Sequence, residues 1–284
     1  MAKEHRQKSN EDILSLLIFR NAEDEQFAVP LGLVERIEKV KRSDIELVGG
    51  KKVIQYRGSS LPLFAVEEVA EVRPLAEKDD LLVIVFVIAG NDIGLLATPP
   101  LDAIEESLVI DDVTLKQTGV MGSTIINNHT TLIINIYGIV ETLNPEWFEK
   151  REEGKKSDGK GATILYAEDS NFFRRQVKDY LVEDGFNVIE AEDGMIAWDL
   201  LQRHGEEISL IIADIEMPNL DGFGLSQRIR GDERFSHLPI IALTTMAGDE
   251  DIKRGKEVGI NDYQIKMDKE KLMDSVYYHL KKVS

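Results

Sequence analysis

Polar side chains that could do chemistry stand where short apolar runs end in the second half of the chain: Glu168, Asp169, Asp214, Thr244 and Lys266. In a parallel sheet the carboxyl ends of the strands meet at one edge, so we expect these side chains to converge there. Three carboxylates in one crevice repel one another unless a cation neutralises them, and oxygen ligands suit Mg²⁺ better than zinc or copper. A carboxylate nucleophile, a metal ion, a hydroxyl and an ammonium together can accept a phosphoryl group and hold its oxygens.

The elements that would position these residues alternate between strand-like and helical patterns. Apolar strand-like runs separated by helical patterns lie at 162–167, 186–191, 208–214, 239–245 and 262–266. In the first of the helical patterns, Phe172, Val177 and Leu181 share one face. Five strand–helix units predict an α/β doubly wound (βα)5 fold, with a parallel sheet covered on both faces.

The first half of the chain has a different pattern, in which short β-branched runs are separated by turn residues. The predicted strands lie at 26–31, 51–56, 81–89, 92–97, 123–127 and 130–136. The turn Asn127-Asn128-His129 joins the last two strands as a hairpin, and only 64–71 and 144–153 have a helical pattern. We therefore predict a mostly-β, barrel-like unit.

A charged, glycine-rich stretch separates the two patterns. Residues 144–161 are almost free of aliphatic side chains, so they cannot bury a face and are predicted to be a linker. The sequence thus predicts two domains joined by this linker, the first at 1–143 and the second at 162–284.

The composition excludes several classes of protein. The formal net charge is −18, so most of the surface would repel DNA or RNA. The absence of cysteine excludes a disulfide scaffold, a cysteine nucleophile and a thiolate metal site. The longest apolar run, 81–89, is far shorter than the roughly 20 residues that a membrane-spanning helix needs. We expect a cytoplasmic protein that neither binds nucleic acid nor inserts into a membrane.

The second half resembles the receiver domain of two-component signalling over its whole length. The matching motifs are YAEDS at 166–170, IADIEMP at 212–218, DGF at 221–223, ALT at 242–244 and DYQIK at 262–266. The resemblance implies that Asp214 is phosphorylated from a histidine kinase. It also implies that Asp169, Asp214 and the backbone carbonyl of Glu216 hold Mg²⁺, while Glu168 reaches the ion through water.

Thr244, Lys266 and Tyr263 complete the roles that this resemblance implies. Thr244 and Lys266 would act on the phosphoryl group, and Thr244 with Tyr263 would be the switch pair that reports phosphorylation to the outer face. The sequence departs from the family at Glu168, where aspartate is commoner, and at Met267, where proline usually follows the lysine. A cis bond before methionine costs about 2.5–4 kcal/mol, so we predict a trans Lys266–Met267 bond, with Lys266 still directed into the acidic pocket.

The first half resembles a CheW-like chemotaxis coupling domain, which implies a double barrel. The matching motifs are FAVPL at 27–31, VE at 34–35, QYRG at 55–58, LPL at 61–63, GLL at 94–96, IEE at 104–106 and GVMGS at 119–123. The QYRG motif is closer to the C-terminal regulatory domain of the histidine kinase CheA than to free-standing CheW. The resemblance implies binding to a histidine kinase, a CheW-type coupling protein or the tips of chemoreceptors.

Together the two halves predict a chemotaxis signalling module that couples receptors to a histidine kinase and carries a receiver phosphorylated on Asp214. Free-standing CheV-like adaptors have this arrangement, and so does the C-terminal part of a hybrid CheA kinase. The chain has no histidine phosphotransfer helix and no nucleotide-binding glycine boxes. We therefore expect no ATP-dependent kinase activity, and only the receiver's own phosphoryl transfer and dephosphorylation.

Two other classes of protein stay open. One is a phosphatase that forms an aspartyl phosphate, because Glu216 supplies a second carboxylate two residues after Asp214. The other is a purely structural protein whose receiver no longer works, against which the intact set of pocket residues argues.

Overall fold

The computed structural model describes three stretches of the chain, 12–148, 161–244 and 249–283. The chain divides into two compact units, Met1–Glu149 and Lys150–Ser284. Of the predicted linker, 149–160 lie outside the described residues, whereas Pro145–Trp147 forms a short 3₁₀ turn. Within the described stretches, no helix is both long and apolar enough to cross a membrane.

The first unit is built on one ten-stranded sheet. Its strands are β1 (Asp12–Ala22), β2 (Glu25–Pro30), β3 (Arg36–Lys41), β4 (Glu46–Val48), β5 (Lys51–Tyr56), β6 (Ser59–Phe64), β7 (Asp80–Ile88), β8 (Asn91–Leu108), β9 (Val120–Ile126) and β10 (His129–Ile134). One helix, α1 (Ile136–Leu143), follows β10 within the described part of this unit. The prediction of a mostly-β unit is confirmed.

Strand β8 joins the two parts of this sheet. Up to Ala97 it pairs antiparallel with β7, and from Thr98 onward it pairs antiparallel with β1. Pro99 and Pro100 lie exposed at the changeover, where the ladder with β1 is irregular. Because proline has no backbone N–H to donate, an irregular and exposed position is one that it tolerates in a strand. The strand predicted at 92–97 is therefore only the first part of a much longer one.

The hairpin predicted around Asn127-Asn128 is confirmed. Strands β9 and β10 pair antiparallel, and the turn residues Asn127 and Asn128 have φ angles of 52° and 61°. Asparagine is enriched in this left-handed region among residues other than glycine, and two such residues in succession suit a two-residue hairpin turn.

Of the two helices predicted in the first half, the one at 64–71 is wrong, and the one at 144–153 is described only as far as 148, with a 3₁₀ turn at Pro145–Trp147. In the stretch 64–71, Phe64 ends β6 and only Val66–Glu68 forms a single 3₁₀ turn. The observed helix α1 instead begins directly after Asn135, whose side chain accepts a hydrogen bond from the Gly138 N–H at 2.9 Å. The β-branched residues of α1 are a type that favours strands, and the N-cap at Asn135 stabilises the helix instead. The remainder of 144–153, from residue 149, lies outside the described residues.

The second unit alternates strand and helix throughout. Its strands are β11 (Thr163–Ala167), β12 (Asn187–Ala191), β13 (Ile208–Asp214), β14 (Ile240–Thr244) and β15 (Asp262–Ile265). Its helices are α2 (Asn171–Glu183), α3 (Gly194–His204), α4 (Gly222–Gly231), α5 (Asp249–Glu257) and α6 (Lys269–Val283). All strand pairs are parallel, in the order β12-β11-β13-β14-β15, so the predicted doubly wound fold is confirmed.

Both faces of this sheet are buried. Along β11, Ile164 and Tyr166 pack in one apolar cluster, and Leu165 and Ala167 pack in another on the opposite face. Such alternation follows from the two-residue repeat of a strand. Because Ala167 pairs with Ala213 of β13, the residues that follow these two strands emerge side by side.

Candidate functional site

The three acidic residues predicted to converge do lie together. Glu168 and Asp169 follow β11, Asp214 ends β13, and one carboxylate oxygen of each lies within 4.8 Å of the others. Glu168 is completely buried and Asp214 is 4% exposed, whereas Asp169 is exposed. The cluster is therefore closed toward the sheet and open to solvent at Asp169.

A buried lysine faces two of these carboxylates. The Nζ atom of Lys266 donates to Oε1 of Glu168 at 2.8 Å and to Oδ2 of Asp214 at 2.7 Å. The same Nζ lies 4.9 Å from the centre of the Phe173 ring, a distance suited to a cation–π contact. The backbone N–H of Lys266 bonds to the carbonyl of Thr244 at 2.9 Å, which ties the lysine to the neighbouring strand.

The prediction for the bond after this lysine is confirmed. Within the described stretches, the one cis peptide bond is Pro99–Pro100, so Lys266–Met267 is trans. Met267 is buried and has a φ angle of 129°, a backbone conformation that residues other than glycine rarely adopt. The chain thus directs Lys266 into the cluster through an unusual conformation at Met267, with the peptide bond itself in its ordinary form.

Burial and like charge raise the pKa values of all three carboxyl groups in the cluster. Burial raises the pKa of Glu168 to about 8, opposed by the Lys266 ammonium and reinforced by the charge of Asp214. Burial likewise raises the pKa of Asp214 and that of Asp169. At Lys266 burial lowers the pKa, but the charges of Glu168 and Asp214 outweigh it and hold the pKa above its ordinary value. A further cation would relieve the repulsion among these carboxylates.

The donor set fits a hard divalent cation. All three candidate ligand groups are carboxylates, and the exposed Asp169 leaves the cluster accessible to water. When every group is ionised, three carboxylates against the Lys266 ammonium leave a net charge of −2, which one divalent ion neutralises. Mg²⁺, which keeps several waters and takes few carboxylates, is the ion that this arrangement suits best.

The segment after Asp214 is held close to the cluster. The backbone N–H of Glu216 points to Oδ1 of Asp214 at 3.3 Å, while the Glu216 side chain is exposed. At Gly222 a Cβ atom would lie 2.3 Å from the carbonyl oxygen of Asp214, so only glycine allows this approach. The Gly222 N–H in turn donates to the carbonyl of Ile215 at 3.0 Å, which closes the loop back onto the strand end.

Thr244 and Tyr263 lie on the neighbouring strands. Thr244 ends β14 half-buried, directly before 245–248, which lie outside the described residues. The hydroxyl of Tyr263 donates to the backbone carbonyl of Asp251 in α5 at 2.9 Å. A Cβ atom at Gly255 would lie 1.6 Å from that hydroxyl, so the glycine makes room for the tyrosine on α5. The predicted switch role of this pair remains a prediction.

Three further residues support the cluster: Tyr166 and Ser170, which the sequence placed in the YAEDS motif without a role of their own, and Arg174, which it did not single out. Ser170 caps α2 by accepting from the Phe173 N–H at 3.2 Å. Buried Arg174 donates from Nη1 to the carbonyl oxygen of Glu168 at 2.5 Å, and its Nε lies 3.9 Å from Oε2 of Glu190. Serine is a residue type typical of helix N-caps, whereas nothing local in the sequence marks Arg174 for its contact with Glu168.

Known protein families match both units. The model for the response regulator receiver domain matches residues 164–277, and the model for the CheW-like domain matches residues 15–144. The Chemotaxis protein CheY homolog of Campylobacter jejuni is 35% identical over 104 residues, which are 36% of this chain and 79% of that protein.

Two longer relatives span both units or parts of both. Sensor histidine kinase CheAY of Helicobacter pylori is 27% identical over 263 residues, covering 88% of this chain and 32% of that protein. Chemotaxis protein CheV3 of Helicobacter pylori is 28% identical over 171 residues, covering 57% of this chain and 55% of that protein. The chain thus spans about a third of the first relative and about half of the second.

Fold, acidic cluster and lysine together define a receiver-type α/β unit joined to a β-rich unit. The chain belongs to the response regulator receiver family through its second unit and carries a CheW-like domain as its first, the architecture of CheV-type and CheAY-type chemotaxis proteins.

Proposed function

We propose that this chain is a chemotaxis signalling module whose receiver is phosphorylated on Asp214 by a histidine kinase. The observation that carries the proposal is the position of Asp214, whose Oδ2 lies 2.7 Å from the buried Lys266 ammonium inside a cluster of three carboxylates. An ammonium held at that distance can pair with a phosphoryl oxygen once Asp214 carries an acyl phosphate.

In the transfer step a carboxylate oxygen of Asp214 attacks the phosphorus of a phosphohistidine. The new P–O bond forms as the P–N bond breaks, and the released imidazole nitrogen takes up a proton. In dephosphorylation water attacks the phosphorus of this acyl phosphate, and the P–O bond to Asp214 breaks as the new P–O bond forms. Inorganic phosphate leaves, the water proton passes to the phosphate or to solvent, and the Asp214 carboxylate is restored. The chain needs no ATP for either step.

The surrounding residues would hold the ion and the phosphoryl group. Asp169, Asp214 and the backbone carbonyl of Glu216 would bind Mg²⁺, and Glu168 would contact it through water. The bound ion supplies positive charge against the phosphoryl oxygens. Thr244 would offer its hydroxyl to a phosphoryl oxygen.

Thr244 would also work with Tyr263 to report phosphorylation. A shift of the Thr244 hydroxyl toward the phosphoryl group would change the space in which Tyr263 packs. Since the Tyr263 hydroxyl bonds to Asp251 of α5, such a change would reach the outer face of α5 and β15.

The first unit would bind the partners of the module, in the cytoplasm. Its CheW-like fold supports association with a histidine kinase, a CheW-type coupling protein or chemoreceptor tips. A free-standing adaptor like CheV3 and the C-terminal part of a kinase like CheAY both fit, and the alignment with CheAY covers more of this chain. Co-purification with the kinase from the source cell tests which arrangement applies. In the CheAY-like arrangement the kinase activity and the receiver would belong to one polypeptide, and in the CheV3-like arrangement to two.

Intact-mass measurement after incubation with a small phosphodonor and Mg²⁺ tests the receiver. We expect one phosphoryl adduct, absent in Asp214→Asn and retained in Asp193→Asn. Asp193 is a matched control because it is a buried carboxylate of the same unit that caps α3, a role that asparagine also fills. Rapid release of phosphate without an adduct would favour the phosphatase alternative, and neither adduct nor release would favour the structural one.

A further inference from the structure

Tyr166 is a fully buried tyrosine whose hydroxyl reaches the acidic cluster from the buried face of β11. Its OH lies 3.3 Å from Oε2 of Glu168 and 3.4 Å from the backbone carbonyl of Phe173 in α2. Tyr166 lies in β11, and Glu168 directly follows the strand, where its N–H still bonds to the carbonyl of Ala191 in β12 at 3.1 Å. The two side chains, two residues apart, therefore point to the same face. The phenol therefore lies under the Glu168 carboxylate as a direct consequence of the strand geometry.

The two oxygens of Glu168 face different donors. Oε1 accepts from Lys266 Nζ at 2.8 Å and from the Ser170 N–H at 3.3 Å. Oε2 is the oxygen that faces the Tyr166 hydroxyl. The Glu168 side chain has three torsions and is completely buried, so each donor removes freedom that the carboxylate would otherwise have. Lys266 also contacts Asp214, whereas the phenol contacts the cluster only at Glu168 among the described residues.

We propose that Tyr166 is a positioning residue for the metal site, which orients the Glu168 carboxylate toward a bound Mg²⁺ by donating to Oε2. The inference rests on the proposed function, because it assumes that the acidic cluster binds the ion. The hydroxyl contacts neither the ion nor the phosphoryl group in this arrangement. It acts through Glu168, in the way that partners of metal-binding groups fix the orientation of those groups.

Calorimetric titration of the full-length chain with MgCl₂ tests the proposal. Tyr166→Phe removes the hydroxyl and keeps the ring, so the apolar packing around it is preserved. Loss of a partner behind a direct metal ligand typically weakens binding about ten- to a hundredfold. Because Glu168 would reach the ion through water, we expect the lower end of that range, a rise in the dissociation constant for Mg²⁺ of roughly tenfold. A variant in which both Asp169 and Asp214 are asparagine measures the heat from other acidic groups and is subtracted.

Tyr277→Phe is the matched control. The Tyr277 hydroxyl also lies 3.3 Å from a carboxylate, Oδ2 of Asp184, but at the far end of α2 from the cluster. The Tyr277→Phe substitution should lower the free energy of unfolding by an amount similar to that of Tyr166→Phe. It should leave the Mg²⁺ dissociation constant within twofold of wild type. In a Glu168→Ala background, Tyr166→Phe should cause no further loss of affinity, since the residue through which it acts is gone.

Each outcome separates this inference from the function on which it rests. Mg²⁺ binding by the wild-type chain with an unchanged constant in Tyr166→Phe overturns the positioning role and leaves the receiver function standing. An equal loss in the presence and absence of Glu168 also overturns it, because the phenol would then act by another route. A wild-type chain that forms the Asp214 adduct without taking up Mg²⁺ overturns the metal assignment and this inference together.

Discussion

The two units of the chain bury polar groups of different kinds. Among the described residues, the buried polar side chains of the first unit are uncharged: Asn21, Gln26, Thr98, Ser123, Thr124, Thr131 and Asn144. Those of the second unit include charged ones: Glu168, Arg174, Asp193, Asp214, Lys266 and Asp268. Removing a charge from water costs several kcal/mol even after the protein relaxes, so buried ions mark places where a protein uses charge. The buried charges on which the proposed phosphoryl transfer depends thus all lie, among the described residues, in the second unit.

One pair in each unit makes the comparison quantitative. Lys266 and Glu168 are 2.8 Å apart with almost no exposure, and Lys52 and Glu68 are 2.8 Å apart with side chains exposed by 40% and 34%. The two ion pairs have the same length but different surroundings. Water screens the exposed pair, so its contribution to the stability of the fold is expected to be small.

The largest expected effect comes from removing the buried cation. Lys266→Met leaves Glu168 and Asp214 without their partner, and breaking a buried pair in this way costs about 3–5 kcal/mol of unfolding free energy. Lys52→Met should cost less than about 1 kcal/mol, because the pair is exposed. Urea unfolding without Mg²⁺ measures both values.

The chain offers a separate reporter for each unit in this experiment. Its two tryptophans are Trp147 in the first unit and Trp198 in the second. Trp147→Phe leaves fluorescence from Trp198, which packs edge-on against Phe235 with ring centres 6.2 Å apart. A loss below 1 kcal/mol for Lys266→Met would mean that the carboxylates do without the ammonium, and the contrast between the units would not hold.

A smaller effect is expected from Mg²⁺, again on one unit only. An ion that binds only the folded receiver adds RT ln(1 + [L]/Kd), about 1.4 kcal/mol at about ten times the dissociation constant. Thermal melts read through Trp198 should therefore shift upward with the ion, and those read through Trp147 in a Trp198→Phe background should not. Equal shifts in both units would point to general screening of the −18 charge, and the Asp169→Asn variant would then shift like wild type.

The smallest effect should be that of Asp214→Asn on partner binding without a phosphodonor. The substitution removes the nucleophile, but the CheW-like fold lies in the other compact unit. Affinity for the histidine kinase or for receptor tips in a pull-down should stay within about twofold, a change below roughly 0.4 kcal/mol. Recovery of the receiver without the first unit, combined with failure of the first unit alone, would reverse the assigned roles.

The second unit was predictable from its sequence to an unusual extent. Strands β11, β13 and β14 are short runs of mostly aliphatic residues because both faces of a parallel sheet are buried, and a polar residue ends or directly follows each of them. Asp268 directly precedes the last helix, and its Oδ1 accepts from the Lys271 N–H at 3.1 Å, as the aspartate of a helix N-cap does. Parallel pairing then brings Glu168 and Asp214 together without any further signal, since their strands are neighbours.

The first unit was predicted less well, for a physical reason. Strand β3, RIEKVK, alternates half-buried and exposed residues, and four of its six residues are charged, so its sequence resembles that of a surface loop. Strand β8 continues through two prolines, and α1 is composed of residues that favour strands. In an antiparallel sheet each strand depends on which neighbour it meets, and those neighbours are far apart in the sequence.

The sequence by itself determined which residues end the strands of the receiver, and hence the acidic cluster and its lysine. It determined the hairpin at Asn127-Asn128 as well, because few residues accept two left-handed positions in succession. Only the tertiary structure decided that Lys266 lies between Glu168 and Asp214 and that Arg174 donates to the carbonyl of Glu168. It also decided which donor faces each oxygen of the Glu168 carboxylate. These contacts join elements brought together by parallel pairing and helix packing, and no local pattern records how distant side chains fill the space between them.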